Sequence, residues 1–304
     1  MIDFCAENSI ELRENERLSK HSSFHVGGNA KYAAFPANRA QLVSLINHLV
    51  SQGQRYIVVG NGSNLLFDDE GYDGVVVFTK KLCDIEFIHL KDGKTQIYVE
   101  CGRPLTELTS EAGKRHMLEG LEFAYGIPGS VGGAVYMNAG AYGGEMSDIV
   151  VKSEYLDTTT GEIREINAAE HQFSYRHSIF HEHPEFIILS TTLSLREGNG
   201  EEIYAKMQKN MSARREKQPL EYPNAGSTFK RPEGHFAGKL IEDAGLKGYF
   251  IGGAQVSEKH AGFIINRGGA TCKDILDLIE HIKNEVKQKY NVALECEIIY
   301  VPYN

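Results

Sequence analysis

Tyr56-Ile57-Val58-Val59-Gly60-Asn61-Gly62-Ser63-Asn64-Leu65 is the stretch that decides which fold this chain can adopt. An apolar run passing straight into glycines reads as a strand entering a phosphate-sized turn, and it resembles the start of a dinucleotide fingerprint. The fingerprint fails on two counts. Leu65 stands at the third glycine position, and the continuation LFDDEGYDGVVVF at 66–78 reads as a turn and a second strand where a Rossmann unit demands a crossover helix. Two readings remain open. One is a different cradle, in which consecutive backbone N–H groups and small polar side chains hold the anion with no long helix behind them. The other is a plain β-turn.

Upstream, residues 1–20 read as a helical or irregular lead-in and KYAAF at 31–35 as a strand. Asn38 and Gln41 form a capping-box pattern ahead of Leu42, Leu45, Ile46, Leu49 and Val50 at helical spacing, and Gly53 ends that run. Downstream, strands are expected at 85–90 and 95–99, and Pro104 is expected at the first position of a helix ending near Lys114. The longest glycine-rich tract follows, GIPGSVGGAVYMNAGAYGGE at 126–145. Its apolar and aromatic residues exclude a flexible spacer, so its glycines are expected to let backbone approach a cofactor closely.

Strand signals return at 150–155, 162–166, 186–190 and 192–195. Arg176, in the FSYRHS stretch at 173–178, offers a planar fork suited to a carboxylate. A polar patch at 197–202 marks a boundary. Beyond it Ile203, Met207 and Met211 predict a helix ending near Gln218, with Arg214 and Lys217 on one face. A short helix is expected around Leu240, Ile241 and Ala244, with strands at 255–256 and 263–265. In the last helix Thr271 and Asp274 form the cap, and Ile275, Leu278, Ile279, Ile282 and Val286 form the buried stripe. The chain is expected to end in a strand over 292–301, with Leu294, Cys296 and Ile298 on one face and Glu295 and Glu297 on the other. Spacing does not choose between the two acids.

With 304 residues, 41% of them hydrophobic, the chain can bury a sizeable core and is long enough for about two domains. No apolar run approaches the ~18 residues of a membrane span, and the first residues lack the basic-then-apolar order of a signal peptide, so a cytosolic protein is expected. Cys5, Cys83, Cys101, Cys272 and Cys296 are dispersed without CxxC spacing, and the twelve histidines form no HExxH; reduced thiols and no metal are expected. The net charge is −9, yet 214–247 carries seven Lys/Arg against five acids. A cationic segment in an acidic chain suits a small anionic ligand better than nucleic acid. Within it, Pro219 and Pro223 stop any helix, and Asn224-Ala225-Gly226 reads as a turn that displays Ser227.

Five strings in order, spanning nearly the whole chain, closely resemble the UDP-N-acetylenolpyruvoylglucosamine reductase family of peptidoglycan synthesis. They are GNGSNLL at 60–66, the glycine tract at 126–145, SYRHS at 174–178, KQPLEYPNAGSTFKRP at 217–232 and LECEI at 294–298. The resemblance implies an α+β fold. Residues 1–198 would form an FAD-binding region of the vanillyl-alcohol-oxidase type, with subdomains of about 1–80 and 81–198, and 199–304 a smaller α/β substrate-binding domain. It also implies NADPH-dependent reduction of UDP-N-acetylglucosamine enolpyruvate to UDP-N-acetylmuramate through non-covalent FAD, by a cytoplasmic monomer with neither nucleic-acid nor membrane partner. Length, and the lack of an inserted tyrosine-bearing loop, are similar to the family's shorter subtype. Where the family usually has a glycine soon after LExE, this chain runs Ile299-Tyr300-Val301-Pro302.

Carried over by motif, the resemblance implies FAD contacts from Gly60, Asn61, Gly62, Ser63, Asn64 and Leu65. From the second tract it adds Gly126, Ile127, Pro128, Gly129, Ser130, Gly132, Gly133, Ala139 and Gly140. Ser227 becomes the proton donor, Arg176 polarises the enolpyruvyl carboxylate, and Glu297 is the acidic partner. Tyr175, Arg214, Lys217, Asn224, Gly226 and Lys259 would hold substrate or NADPH. Two other functions stay open: a flavin oxidase on the same fold, and a non-catalytic nucleotide-sugar or FAD-binding module.

Overall fold

The computed structural model describes all 304 residues. The chain divides into two compact units. One comprises Met1–Arg13, Tyr32–Asn61 and Gly74–Ala213; the other comprises Glu14–Lys31, Gly62–Asp73 and Arg214–Asn304.

The first unit is built on an antiparallel sheet whose strands run in the order Glu162–Asn167, Val150–Asp157, Phe186–Glu197, Lys94–Glu100, Ile85–His89; Leu118–Glu119 pairs with the far end of the long strand. Ile97 and Val99 are buried on the alternating inward face of Lys94–Glu100, while residues 187–193 of the neighbouring strand, Leu189 and Leu193 among them, are buried on both faces. Tyr56–Val59 pairs in parallel with 75–78, Tyr56 opposite Val75 and Val59 opposite Phe78. Helix Arg39–Ser51 starts where Asn38 Oδ1 accepts from the Gln41 amide at 3.0 Å, while Gln41 Oε1 accepts from the Ala37 amide. Leu42, Leu45, Ile46 and Leu49 are buried beneath it. Helix Leu105–Arg115 meets the helix Gly200–Lys217 at Gly113, where a Cβ would stand 2.9 Å from Met207 Sδ; glycine there permits the close crossing.

In the second unit the long helix Cys272–Tyr290 buries Ile275, Leu278, Ile279, Ile282 and Val286. Its start is held twice. Thr271 and Asp274 form a reciprocal capping box, and the Asp69 carboxylate accepts from the Cys272 and Lys273 amides at 2.7 and 3.0 Å, satisfying donors no helix can satisfy internally. The helix packs with a small sheet, Phe250–Ile251, Ala254–Val256 and Ile264–Asn266. Leu65–Phe67 pairs in parallel with Ile299–Val301, and Tyr300 Oη hydrogen-bonds the Asp68 carboxylate. That contact and burial push the Tyr300 phenol up to about 12.

Several expected elements differ. The expected helical or irregular lead-in at residues 1–20 holds a helix, Ile2–Glu7, but also an unexpected strand, Glu11–Arg17. Pro104 is the cap before Leu105, not the first helical residue. Val50 is exposed although it shares the spacing of the buried leucines. The two strands expected at 186–190 and 192–195 are one strand, Phe186–Glu197, because Thr191 sits opposite Val99 without interrupting the ladder. The terminal strand is short: only Ile299–Val301 is regular, and the segment before it makes a single bridge, Phe229 to Cys296.

Candidate functional site

The first unit brings the two glycine loops together. Asn61 Nδ2 donates to the Pro128 carbonyl at 2.9 Å. Gly60 lies so close to Ser130 that a Cβ would fall 2.1 Å from its Oγ. Gly126 adopts φ +88°, a left-handed turn, and the next carbonyls are tied down: Ile127 O accepts from Thr106 Oγ1 and Gly129 O from the Leu105 amide, both at 2.9 Å. Ser130 then caps a short helix, Val131–Tyr136, its Oγ accepting from the Gly133 amide. Gly132 is enclosed against Cys101, whereas Gly133 is exposed and an added Cβ would meet nothing nearer than 3.4 Å. Ala139 and Gly140 follow, with Gly140 in a two-residue pairing with Glu145.

Arg176 sits at the tip of a tight turn. Ser174 and His177 exchange amide-to-carbonyl bonds at 3.2 Å in both directions, and Arg176 adopts φ +56°, a conformation that favours glycine or asparagine. An arginine held there carries backbone strain of the kind found at functional positions. Its guanidinium donates to the Gly140 carbonyl at 3.1 Å and lies 5.0 Å from the centre of the Tyr175 ring, which is 46% exposed. Asn138, which sequence reasoning did not single out, is fully buried and donates to the Ser174 carbonyl. Its only signal in the sequence is an amide side chain inside the glycine tract.

In the second unit Ser227 and Glu297 lie on two segments that run antiparallel past one another. The Lys230 amide donates to the Glu295 carbonyl and the Glu297 amide to the Thr228 carbonyl, both at 2.9 Å, around the Phe229–Cys296 bridge. Glu297 is therefore paired with the residue following Ser227. Asn64 Nδ2 donates to the Glu297 carbonyl at 3.0 Å, and the Asn64 carbonyl accepts from the Ile299 amide. Glu295 points elsewhere: its side chain is 76% exposed and pairs with Lys230 at 3.6 Å. Gly62 adopts φ +63° where a Cβ would lie 2.0 Å from the His21 carbonyl, and Ser63 O accepts from Ser23 Oγ.

The turn before Ser227 is self-contained. Asn224 donates to the Pro219 and Tyr222 carbonyls and accepts from the Gly226 amide at 2.9 Å, so its amide serves the loop itself. Gly226 follows at φ +77° and turns the chain so that Ser227 emerges half-buried. Arg214 is buried and donates to Gln218 Oε1 at 3.0 Å, whereas Lys217, on the same helix, is exposed. Lys259 Nζ reaches Glu221 at 3.4 Å. A shallow depression lined by Gly113, Lys114 and Tyr204 contains none of the expected site residues.

The residues present fit an FAD pyrophosphate. The two glycine loops lie side by side without bulky side chains between them, and an exposed glycine, Gly133, stands where the protein's own packing does not require one. No cluster of three or more His, Cys, Asp or Glu side chains is arranged to hold a metal.

Comparison with known proteins agrees with this division of labour. Residues 30–167 match the model of an FAD binding domain, and residues 218–301 match the C-terminal domain of UDP-N-acetylenolpyruvoylglucosamine reductase. A UDP-N-acetylenolpyruvoylglucosamine reductase from Caldanaerobacter subterraneus subsp. tengcongensis is 50% identical, covering 95% of this chain and 93% of its own length. One from Clostridium botulinum is 47% identical, covering 97% and 94%. Among solved structures, the reductase (MurB) from Thermus caldophilus superposes with a TM-score of 0.79 at 34% identity, over 96% of this chain and 99% of that one.

Proposed function

The chain belongs to the UDP-N-acetylenolpyruvoylglucosamine reductase family, and from that premise we propose that Arg176, Ser227 and Glu297 carry its reaction. It is a flavoprotein that reduces UDP-N-acetylglucosamine enolpyruvate to UDP-N-acetylmuramate at the expense of NADPH, a step in peptidoglycan precursor synthesis that serves cell-wall formation, cell shape and division. FAD, bound non-covalently and reduced by NADPH, supplies the hydride.

Gly60 to Leu65 and Gly126 to Gly133, with Ala139 and Gly140, would line the cofactor, the glycines letting backbone approach it closely. Hydride arriving at the terminal enolpyruvyl carbon leaves negative charge spread over the adjacent carbon and its carboxylate. Arg176 lowers the energy of that charge by meeting the carboxylate with a fixed fork. Ser227 then delivers its hydroxyl proton to the basic carbon; a hydroxyl of ordinary acidity suffices because a carbanion-like carbon is a far stronger base. Glu297, in its protonated form, donates to the carboxylate, and Lys217 stabilises the serine alkoxide. Tyr175, Arg214 and Lys259 orient substrate or NADPH, and Asn224 and Gly226 contribute through the turn they form ahead of Ser227. The observation that supports this reading is the backbone pairing of Glu297 with Thr228, which sets the acid beside the proton donor's segment.

The same reading takes the chain as a cytoplasmic monomer acting on a small molecule. A net charge of −9 disfavours a nucleic-acid partner, and no helix is long and apolar enough to cross a membrane. The purified protein should be yellow. NADPH without oxygen should bleach it, and UDP-N-acetylglucosamine enolpyruvate should restore the colour. Recovery only on admitting oxygen would instead support an oxidase.

A further inference from the structure

We propose that Asn138 is a positioning residue for Arg176, acting by fixing the turn on which that arginine is carried. The inference rests on the reading of Arg176 given above. Asn138 is 0% exposed, and its side chain makes three hydrogen bonds, using both donors and the amide oxygen. Nδ2 donates to the Ser174 carbonyl at 3.0 Å and to Glu145 Oε1 at 3.1 Å, and Oδ1 accepts from the Ser147 amide at 2.9 Å. Glu145 is held in turn by Ser147 Oγ at 2.6 Å. A primary amide meets this demand for two donors and one acceptor; a carboxylate lacks the donors and an aliphatic side chain lacks all three. The backbone of Asn138 also sits at φ +41°, which asparagine tolerates better than most residues.

The consequence falls on one turn. Ser174 is the first residue of the four that carry Arg176 at their third position, and apart from the bond from Asn138 its backbone is bonded only to His177. Asn138 anchors the start of the turn, and the Gly140 carbonyl, two residues on from Asn138, receives the arginine fork. One short segment, 138–140, therefore holds both the base and the head of Arg176. The strained φ of Arg176 needs such support: without the anchor, the turn can relax to a conformation with a negative φ, moving the guanidinium. A displacement of about an ångström in a charge-stabilising group can lower the rate on the order of 10²-fold.

The test is a double-mutant cycle on the FAD-loaded protein, with stopped-flow rates for NADPH bleaching and for reoxidation by UDP-N-acetylglucosamine enolpyruvate. Asn138→Gly keeps the left-handed backbone free of strain and removes the buried side chain with its three hydrogen bonds; Asn138→Ala adds the backbone conflict. Asn138→Gly should slow reoxidation by roughly 10- to 100-fold while bleaching changes less than about 3-fold. In an Arg176→Ala background the same change should have no further effect on reoxidation, since the group it positions is gone. Equal losses in both backgrounds, an unaffected reoxidation rate, or failure of both Asn138 variants to fold by circular dichroism would overturn the proposal. Normal reoxidation in Arg176→Ala alone would overturn instead the role given to Arg176.

Discussion

Asn64 Nδ2 donates to the main-chain carbonyl of Glu297 at 3.0 Å, joining residues 233 positions apart in the sequence. The Glu297 amide donates to Thr228, so both polar groups of this peptide position are engaged while its side chain stays half-buried. Glu295, two residues earlier, is anchored only by its carbonyl and sends its carboxylate into solvent beside Lys230.

That contrast gives opposite expectations for two conservative substitutions. Glu297→Gln should lower turnover by about two orders of magnitude or more, because it removes an acid held beside the Ser227 segment. Glu295→Gln should stay within about twofold of wild type, an exposed ion pair contributing little. Steady-state rates of NADPH oxidation measure both. Equal losses, or the reverse order, would contradict the assignment of the acid.

How much of this was legible in the sequence depends on whether the signal is local. The Thr271–Asp274 cap and the stripe Ile275 to Val286 were readable because capping and 3.6-residue periodicity act within one helix. Glu11–Arg17 was not. Leu12 is its only apolar residue, and it lies at the edge of a four-stranded sheet beside Asn29–Phe35, so no apolar alternation announces it. The alternation at 294–298 correctly reported burial of Leu294 and Ile298, yet a regular strand did not form, because the partner around Phe229 is a loop that bridges once. Spacing left Glu295 and Glu297 equivalent; the fold separates them through partners at Lys230 and Asn64. Asn138 escaped notice because its role depends on contacts with Ser174 and Ser147 that only the folded chain creates.

Gly133 tests where the cofactor lies. It occupies an exposed position in a helix, where glycine is less favourable than alanine by about 0.5–1 kcal/mol and where a Cβ has room. Gly133→Ala should therefore stabilise the flavin-free protein against urea by about that amount and, if backbone here approaches FAD, weaken flavin binding. Titration of FAD into the apoprotein would measure the second effect. Unchanged FAD affinity in a stabilised variant would move the cofactor away from this helix.

Buried His171 makes stability depend on pH. Its Nδ1 meets the Asn167 carbonyl at 2.7 Å and its Nε2 meets Ser153 Oγ at 2.8 Å, while burial lowers its affinity for a proton. A histidine depressed in the folded state leaves stability intact above its unfolded value of about 6.5; below that, the unfolded chain takes up the proton first. Stability should fall as pH drops through 6 toward the folded value, by at most about 1.4 kcal/mol per pH unit from this group. Urea denaturation at pH 8 and pH 5.5 should show a smaller difference in His171→Gln than in wild type. The same difference in both proteins would show that His171 is not responsible.

The central claim is that Ser227 delivers the proton after hydride transfer and takes no part in reduction by NADPH. Stopped-flow absorbance on FAD-loaded Ser227→Ala separates the two half-reactions. The account predicts bleaching by NADPH at close to the wild-type rate and reoxidation by UDP-N-acetylglucosamine enolpyruvate slowed by at least ~10²-fold, with Ser227→Cys falling between alanine and serine because a thiol still donates. Equal slowing of bleaching and reoxidation in Ser227→Ala would contradict it, and Ser227 would then be a residue that organises the whole site.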